Sequence, residues 1–101
     1  MLAFKETGIK ELEDGFLLDY PQLWGFAIGN NPIAKLRSAT FHGAENLTRI
    51  EIYHTRLDEV GDAFHGMKKI QTLLLNDNLI TTINATTFSG MASLVSLGLE
   101  G

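Results

Sequence analysis

The chain has 101 residues, 45% of them hydrophobic, no cysteine, and a formal net charge of −4. That length limits it to one small domain, and the lack of cysteine removes disulfides without fixing a redox compartment. The eight Lys and Arg form no basic stripe for nucleic acid, no apolar run approaches the roughly 18 residues of a membrane span, and the charged first twenty residues are no secretory signal.

Met1 to Lys5 reads as a strand with Leu2 and Phe4 inward, after which Ile9 and Leu12 turn the chain across a core. The acidic run Glu11 to Asp14 is a solvated loop that Gly15 breaks, and Leu17, Tyr20 and Leu23 lead to the next strand. In Trp24-Gly25-Phe26-Ala27-Ile28-Gly29 the period of two puts Phe26 and Ile28 inward. Gly25, Ala27 and Gly29 then point outward, and their small size makes that part of the outer face shallow and flat. Asn30-Asn31-Pro32 ends the strand, because Pro cannot donate to a ladder.

A third unit follows as Leu47, Ile50, Ile52, Thr55, Leu57 and Val60, with Arg49, Glu51, Tyr53 and, at the strand's end, His54 facing outward. The fourth, Ile70 to Phe88, buries Leu73 and Leu75 and presents Thr72, Leu74, Asn76 and Asp77. The last strand is read from Leu94, Leu97 and Leu99, with Ser96, Gly98 and Glu100 outward.

All of these positions fit one frame, L-x-x-L-x-L-x-x-N-x-L-x-x-L. Its opening residues Leu23, Leu47, Ile70 and Leu94 are 24, 23 and 24 residues apart. The slip has a visible source: Leu36 to Phe41 and Ile83 to Phe88 span five, but Val60 to Phe64 spans four. A Phe-x-Gly-x-x-x-L segment recurs at Phe41-His42-Gly43, Phe64-His65-Gly66 and Phe88-Ser89-Gly90. On these residues the chain resembles a leucine-rich repeat protein of the roughly 24-residue kind common in extracellular animal proteins.

The resemblance covers essentially the whole chain and implies an α/β, right-handed solenoid over residues 1–101. Its parallel, concave sheet would have about five short strands and an irregular convex side. It also implies an asparagine ladder at Thr7, Asn31, Thr55 and Asn78, where a buried amide satisfies backbone groups freed by the sharp bend. Thr, with one hydroxyl, does only part of that work.

Catalytic chemistry is not expected, nor any cofactor or metal. His42 and His65 share a frame, but Ser89 follows them and zinc wants three or four ligands. His54, Glu51 and Asp77 lie on an open ribbon without the recess that catalysis needs. The resemblance and the outward residues instead imply a protein ligand held on the concave face, at Arg49, Glu51, Tyr53, His54, Thr72, Leu74, Asn76 and Asp77. Spacer repeats of a larger ectodomain, or an immune sensor using Trp24, are the alternatives.

Two sequons, Asn46-Leu47-Thr48 and Asn84-Ala85-Thr86, are expected to be exposed and to favour an extracellular or cell-surface location. Neither end carries a polar cap of the kind a solenoid needs, so the chain is expected either to associate end to end or to be part of a longer array.

Overall fold

The structure, a computed structural model, describes residues 1–5, 8–80, 87–88 and 90–99. Five strands lie in it, β1 (Leu2–Lys5), β2 (Gly25–Gly29), β3 (Arg49–Tyr53), β4 (Thr72–Leu74) and β5 (Ser96–Gly98). They form one sheet in chain order, and every neighbouring pair is parallel. The chain is therefore a parallel β-solenoid of about four turns.

The register is the one the repeat demands. Phe26 pairs with Ile50, Ile28 with Ile52, Ile50 with Leu73 and Leu73 with Leu97. Just before each strand a backbone column repeats the spacing: Thr48 N–H donates to Trp24 O, Gln71 N–H to Thr48 O, and Val95 N–H to Gln71 O, at 2.8, 2.8 and 2.9 Å. The short third coil thus leaves the sheet in step.

Inward residues of the three central strands are sealed: Phe26, Ile28, Ile50, Ile52, Leu73 and Leu75 are all 1% exposed or less. Their equivalents in β5 are not, since Leu97 and Leu99 are 43% and 39% exposed. The core grows by stacking, so a strand covered on one side alone leaves its apolar row half in water.

The return path is a succession of tight turns, with no helix among the described residues. In the third coil, Ala63, His65, Met67 and Ile70 each donate to the carbonyl three residues back, and Thr40, His42, Ala44 and Leu47 do so in the second. Gly43, Gly66 and Gly90 stand within this return path with φ of +84°, +76° and +82°, a region in which a side chain is strained. Phe41 and Phe64, one per coil, stack beneath them at 5.6 Å between ring centres. This is the irregular side the repeat implies.

Candidate functional site

The sheet's open face is where the sequence places recognition, and its central feature is a line of polar side chains on β3. Arg49 Nε donates to Glu51 Oε2 at 2.9 Å, a pair only half exposed. Glu51 pairs in register with Ala27 on one side and Leu74 on the other. Thr72, Leu74 and Asn76 on the neighbouring coil are likewise partly buried.

His54 and Asp77 belong to a different structural class from the strand residues. Each stands one residue before a ladder position, at the corner that follows the strand, with φ of +51° and +58°. Asn30 has the same role in the second coil, with φ of +56°. Asn, Asp and His are the residue types other than glycine most often found in this left-handed conformation. The corner turns both side chains outward, where His54 Nε2 and Asp77 Oδ2 come within 3.4 Å. The Tyr53 ring meets the His54 ring edge-on at 5.7 Å. Tyr53, His54 and Asp77 thus form one contiguous group.

One expectation is corrected. Gly25, Ala27 and Gly29 do not make a bare, flat strip; every residue of β2 is buried. Their missing side chains leave room that neighbours fill. Met1 lies over Gly25, and the Tyr53 ring lies over Gly29 so closely that a Cβ there would run into it. Gly98 of β5 is covered in the same way by Leu74 and Asn76. Alternation predicts which way a side chain leaves the strand but not how far it leans sideways.

Alternation points Asn76 outward, but its Oδ1 is buried with no hydrogen-bond partner among the described residues.

Side-chain hydrogen bonds run along the strand ends where the residues are described. Asn78 Nδ2 donates to Ile52 O at 2.8 Å and to Leu75 O at 2.9 Å, while its Oδ1 accepts from Thr55 N–H at 3.1 Å and from the Thr55 hydroxyl. Asn31 Oδ1 accepts from Ile9 N–H at 3.0 Å, and its Nδ2 donates to Gly29 O at 2.8 Å. Thr55 Oγ1 also accepts from Leu57 N–H at 3.2 Å. Thr7 lies outside the described residues.

Of the two sequons, Asn84 also lies outside the described residues. Asn46 is half-buried and engaged at both ends: Nδ2 donates to Pro21 O at 2.8 Å, and Oδ1 accepts from Lys69 Nζ at 2.7 Å. Trp24 is 51% exposed. No set of three or more His, Asp and Glu stands close enough to hold a metal among the described residues.

An inward apolar row, an amide ladder at the strand ends and a 24, 23, 24 backbone column are independent marks of one repeating unit. Residues 21–80 and again 60–101 match the sequence profile described as leucine rich repeat, and the chain belongs to the leucine-rich repeat family.

Proposed function

We propose that this chain is a non-enzymatic protein-recognition module, part of a secreted or cell-surface receptor or adhesion protein. Its ligand is a protein bound on the open face of the sheet. Repeats of this family generally mediate protein–protein contact, which supports the class. The observation that carries the site is the polar line on the third coil, in which the Arg49–Glu51 pair and the Tyr53–His54–Asp77 group are held in fixed positions on strand and corner. A partner meets these groups already ordered, so less side-chain entropy is lost on binding. Tyr and Arg are the residue types that dominate binding energy at such surfaces.

The sequons support the location. A glycan on Asn46 leaves Nδ2 one hydrogen, enough to keep the Pro21 bond. The exposed row of Leu97 and Leu99 supports a second contact, in which a strand of a second copy pairs along the sheet edge.

The test compares the chain with Arg49→Ala/Tyr53→Ala and with a turn-side control, Lys35→Ala, against proteins captured by crosslinking from intact cell surfaces. Loss of a specific captured protein in the double variant alone supports the open face. Equal capture by all three moves the site to the turn side. A spacer role has its own support, since Tyr53 fills the space above Gly29, and it predicts no specific capture by any of them.

A further inference from the structure

The turn side does not stack evenly. A Cβ added to Gly90 would come within 3.0 Å of the Gly66 backbone, so the third and fourth coils touch there. A Cβ on Gly43 would strike Leu18 of the first coil, but one on Gly66 would meet nothing within 4 Å. Two of the three steps in the glycine column are closed, and the middle one is open. The open step is the one formed by the 23-residue coil, in which Val60 to Phe64 lacks one residue relative to Leu36 to Phe41. Both coils make a tight turn here, but in the second a hydroxyl caps it, with Arg37 N–H donating to Thr40 Oγ1 at 2.7 Å. Ala63 stands where Thr40 does and cannot cap. The shorter return falls short of its neighbour while the sheet stays in register.

The gap is a cavity of about 640 Å³ between the second and third coils. That volume lies within the range of small-molecule sites, roughly 300–1,000 Å³. Its apolar lining includes Phe41 and Met67, and its polar lining includes both turn histidines, His42 and His65, with Lys68 and Lys69. Lys69 is held by Asn46, which is itself tied to Pro21. Three other basic side chains are paired, Lys35 with Glu59, Arg37 with Glu11 and Asp14, and Arg49 with Glu51, while Lys10 and Arg56 stand apart from the cavity with no carboxylate partner among the described residues. Neither Lys68 nor Lys69 has a carboxylate partner among the described residues, and the cavity's single acidic lining residue is Glu45. An acidic chain with net charge −4 therefore sets two adjacent lysines, with no carboxylate partner among the described residues, beside an apolar wall in the open step of the glycine column.

We propose that this cavity binds a small organic carboxylate with an apolar body, the carboxylate met by Lys68 and Lys69 and the body resting on Phe41 and Met67. The same chemistry describes a free aromatic or aliphatic acid and the C-terminal residue of an apolar peptide. Both the charge and the apolar body are required.

The test is an NMR titration of the full chain with benzoate, its neutral isostere benzamide, inorganic phosphate and N-acetyl-phenylalanine. Expected are saturable shifts of the Met67 methyl and the His42 and His65 ring signals with benzoate, at least about tenfold weaker with benzamide and phosphate. Lys68→Glu/Lys69→Glu should weaken benzoate at least about tenfold while the circular dichroism spectrum is unchanged. N-acetyl-phenylalanine tighter than benzoate identifies a peptide C-terminus as the source, and weaker identifies a free acid. Inserting one Ala between Gly61 and Asp62 restores the 24-residue length and should abolish the response. The proposal is overturned if benzoate does not saturate, if benzamide or phosphate equals it, or if the charge-reversed variant binds it unchanged.

Discussion

Replacing Asn78 by Ala removes the side chain that closes the corner between the third and fourth coils. Three backbone groups lose their partner: Ile52 O, Leu75 O and Thr55 N–H, along with the Thr55 hydroxyl. The site is buried and tightly lined, so water cannot replace all four bonds. At about 1 kcal/mol for each backbone group, the loss is about 3 kcal/mol. A domain of this size has roughly 5–15 kcal/mol of stability in total, so the variant should be folded but fragile. Thr55→Val is the comparison. It leaves Thr55 N–H on Asn78 and frees mainly Leu57 N–H, and it should cost about 1 kcal/mol. The double variant should cost less than the two single losses together, because both remove the Thr55–Asn78 contact. Urea unfolding followed by far-ultraviolet circular dichroism reads the result. With a slope of roughly 1–3 kcal/mol per molar urea, Asn78→Ala should lower the midpoint by about 1 M or more. A shift for Asn78→Ala no larger than that for Thr55→Val would refute the view that the amide closes the corner.

Two further outcomes follow from the glycine column and the sheet edge. Gly90→Ala combines a left-handed backbone with a 3.0 Å approach to the Gly66 backbone, and Gly61→Ala has a left-handed backbone in open space. The first should cost about 2–4 kcal/mol and the second about 1–2, and melting temperatures in the same order check it. Leu97, 43% exposed on β5, should drive association that rises with concentration and disappears in Leu97→Asp, as read by light scattering. Wild-type chain that stays monomeric at high concentration contradicts this.

The repeat was legible because burial imposes period. Phe26, Ile28, Ile50, Ile52, Leu73 and Leu75 had to be apolar, in one frame, to share one interior, and the structure pairs them strand to strand. The ladder was legible for a related reason, since only an amide can meet several freed backbone groups at Asn31 and Asn78. The outward face was legible in direction alone. Arg49, Glu51, Tyr53, Thr72 and Leu74 leave the strands on the outer side, but nothing local says that Tyr53 lies over Gly29, nor that Asn76 packs its oxygen against Gly98. Those outcomes depend on which side chain stands on the adjacent strand, two dozen residues away.

His54 and Asp77 show the boundary most clearly. Their positions in the frame were readable, yet alternation does not extend past the strand, and the corner's left-handed backbone is what brings them together. The missing residue between Val60 and Phe64 could be counted in the chain. Whether it would bend the sheet or open the turn side was settled by packing: parallel hydrogen bonds hold the strands in register, so the loosely bonded return path takes up the difference. Sequence periodicity fixes which residues share an interior, because that depends on spacing along one chain. Only the tertiary structure decides what neighbouring coils do to each other's surfaces, because that depends on distances between residues the spacing leaves unrelated.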